Sequence, residues 1–292
     1  MPKTFAITGA NSGIGLSIAK QLLAQGHTVI ALCRDNENNR KVIENLATNA
    51  KQFGLGKIDF VAINLNNLHA VRQAAHHVIN FYPTIDGLIC NAGVMAPPFY
   101  TTHQKFEQQF QVNYLSQFLL THLLIPSLQA SSKPRVIFTT SMLAQYGKID
   151  HIEKLKSIAY IKESAYDSTL SYKESKLAQL AMNKYLPTVY PNIKFAAVHP
   201  GIVYTNLFYR RIGEIGKVLS LPLVAIAFMF RLMRTAKKGA ETIVYLATED
   251  DFETGLYWKD KRMVMPNAIV NQSGYLQDLY MQSMKWVGLK SN

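Results

Sequence analysis

Short apolar runs rich in β-branched residues alternate with helical segments along most of the chain, and this alternation restricts the possible folds more than any other feature. Strands joined by helices form right-handed crossovers, which place the strands parallel in one sheet and the helices on both of its faces. The runs are apolar throughout, as expected for strands buried on both sides. The sequence therefore predicts an α/β fold built on a doubly wound parallel sheet.

The individual elements follow from this pattern. We expect strands at residues 5–7, 28–33, 58–63, 87–90, 135–140, 194–198 and 256–258. We expect helices at residues 14–25, from the second strand to about 47, and at 68–81, 104–129, 170–190 and 236–247. No low-complexity linker or repeat divides the chain, so residues 1–292 form a single domain in this interpretation.

Two irregular insertions, 143–169 and 203–235, follow the fifth and sixth predicted strands. Both should leave the sheet at its carboxyl edge, where folds of this kind bind ligands. The insertion at 203–235 is the candidate substrate loop.

The composition excludes several classes of protein. The chain is 48% hydrophobic and 17% charged, which is typical of a folded globular protein. Its two cysteines, Cys33 and Cys90, lie in predicted strands, so we expect buried reduced thiols rather than a disulfide scaffold. No Cys/His cluster has metal-ligand spacing, and we expect no metal. The first predicted strand begins close to Met1, so we expect no signal peptide or N-terminal anchor and a cytoplasmic location.

The positive charge is concentrated in one segment. The net charge is +12, and residues 210–238 hold seven basic residues and one acidic residue around the apolar run 218–230. One interpretation is a surface that makes peripheral contact with anionic lipid. The other is a substrate-pocket lid with solvated basic tips. No nucleic-acid-binding module surrounds the segment, so we expect no nucleic-acid partner, and the oligomeric state stays open.

A glycine-rich turn joins the first strand to the first helix. Its spacing is Gly-x-x-x-Gly-x-Gly from Gly9 to Gly15. Glycines at such a turn permit a close backbone approach to a pyrophosphate, which meets the N-terminus of the following helix. The alternative is a plain glycine turn. The candidate cofactor contacts here are Gly9, Asn11, Ser12, Gly13, Ile14 and Gly15.

The end of the second strand indicates which dinucleotide binds. An acidic residue at this point would bind the ribose 2′-hydroxyl of NAD and repel a 2′-phosphate. Here Cys33 ends the strand and Arg34 follows. Because a guanidinium suits a phosphate monoester, we favour NADP(H) over NAD. The alternative is that Arg34 pairs with Asp35 or Glu37 on the surface.

Tyr172 and Lys176 lie one turn apart on one face of a predicted helix. A positive charge beside the phenol favours the phenolate, so we expect a lowered pKa for Tyr172 and an acid/base group that operates near neutral pH. The alternative is an ordinary solvated helix face.

Taken in order along the chain, these motifs resemble the short-chain dehydrogenase/reductase superfamily, which has a Rossmann-type fold. The retinol-dehydrogenase-like and protochlorophyllide-reductase-like branch is the most similar. The resemblance implies that Tyr172 and Lys176 are the catalytic acid/base pair and also contact the cofactor. It further implies that Ser141 binds the substrate oxygen and that Asn113 holds a proton-relay water.

The resemblance also implies further cofactor contacts. These are Asn64 and Leu65 after strand three, Asn91, Ala92 and Gly93 after strand four, and Pro200, Gly201, Ile202 and Thr205 after strand six. Asn64 stands where the family usually has aspartate, and its amide carbonyl can still accept a hydrogen bond from adenine. Thr140 precedes Ser141 and also has a hydroxyl. The position of Ser141 relative to the end of the strand favours Ser141 as the residue that binds the substrate oxygen.

The implied activity is NADP(H)-dependent transfer of hydride between the nicotinamide and a carbonyl/alcohol pair. The apolar run 218–230 favours a lipophilic substrate, such as a retinal-like, steroid-like or other apolar aldehyde or ketone. One alternative is reduction of a ring C=C bond, as in protochlorophyllide reductase. An alternative of another class is a regulatory protein that senses NADP(H) without turnover.

The segment 210–238 predicts binding to anionic membranes. Its uncharged run of 13 residues would span about 20 Å as a helix, too short to cross about 30 Å of hydrocarbon, so it would lie in the interface. Each basic flank should add up to about 1 kcal/mol on an anionic surface. Co-sedimentation with anionic vesicles should therefore weaken as salt increases. Absence of binding at low salt, with Phe228→Ser and Phe230→Ser changing only the substrate KM, would identify a lid instead.

Overall fold

The structure is a computed structural model that describes residues 1–203 and 233–290. Most of the predicted substrate loop at 203–235 and of the basic segment 210–238 lies outside the described residues, as does Thr205.

The described residues contain one eight-stranded sheet whose strand order is β3-β2-β1-β4-β5-β6-β7-β8. Strands β1 to β7 are parallel, whereas β8 pairs antiparallel with β7. The strands are β1 (Thr4–Thr8), β2 (Thr28–Cys33), β3 (Ile58–Ala62), β4 (Gly87–Cys90), β5 (Arg135–Thr139), β6 (Lys194–Val198), β7 (Leu256–Lys259) and β8 (Arg262–Met263). The predicted doubly wound α/β fold is confirmed, with one antiparallel edge strand that the sequence did not predict.

The described helices lie on both faces of the sheet. They are α1 (Gly13–Ala24), α2 (Glu37–Gln52), α3 (Leu68–Phe81), α4 (Ser116–Gln129), α5 (Ile152–Ala159), α6 (Ser168–Val189), α7 (Ala236–Thr248) and α8 (Ser273–Trp286). Alternate strand residues face opposite sides: Phe5 and Ile7 pack with α1, α2 and α7, whereas Ala6 packs with α3, α4, α6 and α8. Both cysteines are buried and free, as predicted. None of the described helices is both long and apolar enough to cross a membrane.

Three predictions about elements were wrong. The helix predicted at 104–129 is a short α-helical turn at Gln108–Phe110, a π-helical turn at Gln111–Leu115 and then α4. The second helix continues to Gln52. The insertion at 143–169 is not wholly irregular, because it contains α5.

The C-terminal helix α8 was not predicted, and it covers the outer faces of α4 and α6. The Tyr280 ring lies 5.8 Å from Phe118 and 5.1 Å from Tyr185, measured between ring centroids. The Tyr114 hydroxyl, in the π-helical turn, lies 2.6 Å from the buried Ser283 hydroxyl. The helix therefore joins the chain's last described segment to the elements around the carboxyl edge of β4 and β5.

Replacement of Tyr114 by phenylalanine should leave the buried Ser283 hydroxyl without a partner. We expect a loss of about 1–3 kcal/mol in the free energy of unfolding, measured by urea denaturation. The double variant Tyr114→Phe/Ser283→Ala removes both polar groups and should recover most of that loss. A double variant no more stable than the single one would show that the hydroxyl pair is not the source of the effect.

Candidate functional site

The glycine loop after β1 has no room for side chains at the point where it meets β4. Gly9 and Gly13 have φ values of 71° and 53°, which favour glycine. A Cβ at Gly15 would lie 2.1 Å from the Gly9 carbonyl oxygen and 2.6 Å from Nδ2 of Asn91. These contacts force the loop to present bare backbone at the carboxyl edge of the sheet.

The N-terminus of α1, directly after this loop, is available to an anion. Its N-cap residue Ser12 makes no side-chain capping hydrogen bond, and the first turn contains no acidic residue. In contrast, Asn36 caps α2 and Asn67 caps α3 through their side chains. Ile14 packs against the core beneath the loop. The bare backbone and the uncapped helix end fit the pyrophosphate of a dinucleotide.

Asn91 and Ala92 after β4 are tied to the end of β1 through Thr8. The backbone N–H groups of Asn91 and Ala92 donate to the Thr8 hydroxyl at 2.9 and 3.0 Å. The Asn91 side chain donates to the Thr8 carbonyl at 3.0 Å. The central role of Thr8, and the contact that Gln117 makes with its hydroxyl at 3.3 Å, were missed from the sequence. A threonine just before the first glycine was the available signal.

The two surface partners considered for Arg34 pair elsewhere. Asp35 binds Arg40 at 2.6 Å and Glu37 binds Lys41 at 2.6 Å. The Arg34 side chain is exposed and makes no ion pair with any described residue. This arrangement leaves the guanidinium at the end of β2 available to an anionic ligand.

Asn64 and Leu65 follow β3 and have different surroundings. Asn64 is exposed, and its Oδ1 accepts a hydrogen bond from the Asn66 backbone at 3.1 Å. Leu65 is buried, and its carbonyl accepts from the Ser116 hydroxyl at 2.6 Å. Asn64 can still accept a second hydrogen bond, because an amide oxygen has two lone pairs.

Asn113 lies in the π-helical turn and is fully buried. Its Oδ1 accepts from the Val94 backbone at 2.8 Å, and its Nδ2 donates to the Val94 carbonyl at 3.0 Å and to the Ser175 hydroxyl at 2.9 Å. A Cβ at Gly93 would lie 3.0 Å from Asn113 Oδ1 and 3.6 Å from Lys176 Nζ. The structure thus brings Asn113, Gly93 and Lys176 together at the carboxyl edge.

Ser141 and Tyr172 meet beside this edge. Tyr172 is 7% exposed and Ser141 is half-buried, and the Ser141 hydroxyl accepts from the Leu143 backbone at 3.2 Å. Thr140, the other hydroxyl considered, is buried and donates to the Lys176 carbonyl at 3.2 Å. Of these two hydroxyls, that of Ser141 is the one whose hydrogen bond lowers the pKa of Tyr172.

The expected effect of Lys176 on Tyr172 requires a correction. Burial raises the pKa of Tyr172 above its ordinary value, and the hydrogen bond with Ser141 only partly opposes this. The Lys176 ammonium donates to the Thr139 carbonyl at 2.7 Å and to Oε1 of Gln179 at 3.2 Å, and it lies 5.9 Å from the centroid of the Tyr172 ring. Burial also lowers the pKa of Lys176 to about 7. Desolvation is the largest influence on both groups, and neither shift includes a contribution from the other group.

The loop after β6 completes the edge. His199 is buried, its Nδ1 accepts from the Met142 backbone at 3.2 Å, and burial lowers its pKa to about 4. Pro200 is buried, Gly201 has a φ of 88°, and the Ile202 carbonyl accepts from the Arg234 backbone at 2.8 Å. His199 thereby links this loop to the residue that follows Ser141.

Glu174 is a further residue that sequence reasoning missed. It is 1% exposed, lies between Tyr172 and Lys176 on α6, and accepts hydrogen bonds from the backbone of Lys148 at 2.8 Å and of Ile149 at 3.1 Å. These contacts hold the segment that follows Ser141 against the helix that carries Tyr172. The available sequence signal was that Glu174 is an acidic residue between Tyr172 and Lys176.

Comparisons with known proteins find similar sequences and a similar structure. A model of the short chain dehydrogenase family matches residues 3–152. Retinol dehydrogenase 14 of Mus musculus is 34% identical over 285 residues, covering 91% of this chain and 81% of that protein. Short-chain dehydrogenase TIC 32 B, chloroplastic, of Brassica napus is 30% identical, covering 97% of this chain and 88% of that protein. The crystal structure of a putative uncharacterized protein from Mycobacterium paratuberculosis has a TM-score of 0.76 at 27% identity and covers 99% of this chain and 94% of that one.

The burial of Lys176 predicts a specific pH dependence of stability. Its pKa falls from 10.5 to about 7 on folding, so the unfolded chain binds more protons between these pH values and stability rises with pH across that window. The difference in unfolding free energy between wild type and Lys176→Met, in cofactor-free protein, should rise by up to about 1.4 kcal/mol per pH unit from pH 7 to 9.5. Urea titrations at several pH values measure this. A difference independent of pH would mean that the folded protein keeps Lys176 charged.

Proposed function

The chain belongs to the short-chain dehydrogenase/reductase superfamily, and on that premise we propose that it is an NADP(H)-dependent oxidoreductase that transfers hydride between the nicotinamide and the carbonyl/alcohol group of a lipophilic substrate. Membership makes the chain an oxidoreductase of a superfamily that binds nicotinamide cofactors. The choice of NADP(H), the substrate class and the role of each residue are the proposed part.

The observation that carries the proposal is the convergence of Ser141, Tyr172 and Lys176 at the carboxyl edge of the sheet, next to Gly93. When bound, the nicotinamide supplies or accepts the hydride. Tyr172 donates its phenolic proton to the substrate oxygen during carbonyl reduction, and Ser141 donates a hydrogen bond to the same oxygen. Because burial raises the pKa of Tyr172, the phenol stays protonated at neutral pH, which is the form that reduction requires.

Asn113 and Lys176 hold the backbone around the proton donor in place. Asn113 fixes the segment at Gly93 and Val94 and, through the Ser175 hydroxyl, the helix turn that begins at Tyr172. Lys176 holds the end of β5 through the Thr139 carbonyl. In the proposal, Lys176 also binds the cofactor ribose, and Asn113 holds the water that resupplies the proton.

The cofactor is held by the loops at the carboxyl edge. Gly9 to Gly15 and the N-terminus of α1 bind the pyrophosphate, and Arg34 binds the 2′-phosphate of NADP(H). The residues after β3 and β4 would hold the adenine. In the proposal, Asn64, Leu65, Asn91, Ala92 and Gly93 also hold the cofactor, and Pro200, Gly201 and Ile202 hold its nicotinamide side. Thr205, the other residue of this set, is outside the described residues. The observation that favours NADP(H) is the exposed Arg34 without an ionic partner among the described residues.

A lipophilic substrate is supported by large apolar side chains near Ser141. Met142, Tyr146, Ile202 and Met265 are all exposed around this edge, and Gln145 holds the Met265 carbonyl at 2.7 Å. Two further relatives are also named retinol dehydrogenases, from Mus musculus and Homo sapiens. A retinal-like aldehyde is therefore the first substrate to test. The cytoplasmic location and the membrane contact through 210–238 stay predictions.

Tyr172→Phe tests this proposal. The variant should fold and bind NADPH but reduce a lipophilic aldehyde with a kcat lowered by about 10²–10⁴, because it lacks the proton donor. Tyr185→Phe, on the partly buried outer part of the same helix, is the matched control and should keep its kcat. The measurement is NADPH consumption with a panel of apolar aldehydes and ketones.

Three outcomes contradict the proposal. If Tyr172→Phe turns over substrate at the wild-type rate, Tyr172 is not the proton donor. Reduction of ring C=C bonds without reduction of any carbonyl favours the second enzymatic alternative. Tight NADPH binding without turnover on any substrate favours a sensing protein.

A further inference from the structure

The end of β2 presents two opposite charges in succession. Arg34 is followed directly by Asp35, and both side chains are exposed. A free carboxylate at this position would repel a 2′-phosphate and accept a hydrogen bond from a ribose 2′-hydroxyl instead. Arg34 by itself therefore does not decide between NADP(H) and NAD(H).

Asp35 is not free in the structure, because Arg40 binds it with both arms of its guanidinium. Nε of Arg40 donates to Oδ1 of Asp35 at 2.6 Å, and Nη2 donates to Oδ2 at 2.7 Å. The guanidinium also lies over the Phe60 ring, 4.9 Å from its centroid. The fork occupies both carboxylate oxygens, and the ring restricts the position of the arginine.

The neighbouring residue on α2 fixes the backbone of Arg34. Asn39 is buried, and its Nδ2 donates to the Arg34 carbonyl at 2.7 Å while its Oδ1 accepts from Nδ2 of Asn11 at 2.7 Å. The first turn of α2 thus links the cofactor loop to the end of β2 through Asn39 and engages Asp35 through Arg40. The positive charge left at this point without an ionic partner among the described residues is that of Arg34.

We propose that Arg40 determines cofactor preference indirectly, by neutralising and holding aside the Asp35 carboxylate that would otherwise oppose a 2′-phosphate at Arg34. The proposal rests on the function proposed above. Arg40 is a positioning residue in this account, since it acts through Asp35 and touches neither the cofactor nor the substrate. The ion pair is about half exposed at both side chains, so it contributes little to the stability of the fold.

The test compares Arg40→Ala with the double variant Arg40→Ala/Asp35→Asn. Arg40→Ala releases the carboxylate beside a doubly charged phosphate, so its Kd for NADPH should rise about five- to tenfold at low salt while its Kd for NADH stays constant or falls. The double variant, which has no carboxylate to neutralise, should recover most of the NADPH affinity. Arg40→Lys retains the charge and should retain most of the preference. The Kd values come from fluorescence titrations of NADPH and NADH, with circular dichroism confirming the fold.

Several results would overturn the inference. If Asp35→Asn does not restore NADPH affinity in the Arg40→Ala background, Arg40 contacts the phosphate itself. Equal weakening of both cofactors would identify a purely structural role. If neither Kd value changes in Arg40→Ala, Asp35 does not reach the phosphate. Wild-type protein without any preference for NADPH would instead contradict the proposed cofactor, and Arg34→Ala serves as the reference for full loss of that preference.

Discussion

The candidate site depends on the hydrogen bonds that tie the end of β1 to the end of β4. The Thr8 hydroxyl accepts from two successive backbone N–H groups, those of Asn91 and Ala92, and the Asn91 side chain returns to the Thr8 carbonyl. The same side chain occupies the space that a Cβ at Gly15 would need. Thr8 therefore fixes the loop after β1 relative to the loop after β4. This leaves no room for a side chain at Gly15, which lies close to Asn91.

A single stretch of α6 distributes the remaining connections. Tyr172 faces Ser141, Glu174 holds the backbone at 148–149, Ser175 binds Asn113 and Lys176 binds the Thr139 carbonyl. Tyr172, Glu174, Ser175 and Lys176 are all buried, so water competes little with the side chains that this helix contributes. The helix that carries the proposed proton donor is thereby held to several loops from adjacent parts of the site.

The sequence predicted the parallel sheet and most strand bounds because continuous apolar runs and glycine turns are local signals. The proximity of Tyr172 to Ser141 and of Asn113 to Lys176 was implied by the family resemblance, not by the local sequence pattern. The sequence did not predict the raised pKa of Tyr172, because burial depends on residues far apart in the chain. Nor did it predict α8, because the packing of this helix depends on α4 and α6, which lie far from it in the sequence. The ion pair between Asp35 and Arg40 was missed because Arg34, which is adjacent to Asp35, was considered as its partner instead.

The position of α8 has a consequence for the order of folding. Tyr114 and Ser283, the residues of its buried hydroxyl contact, are separated by 169 positions. Contacts at such separation carry a large loop-closure entropy and form after local ones. During synthesis, which proceeds from the N-terminus, the aromatic faces of α4 and α6 are made long before the helix that covers them. A nascent chain therefore lacks the cover of α8 over Phe118 and Tyr185 until this last helix has been made and has docked.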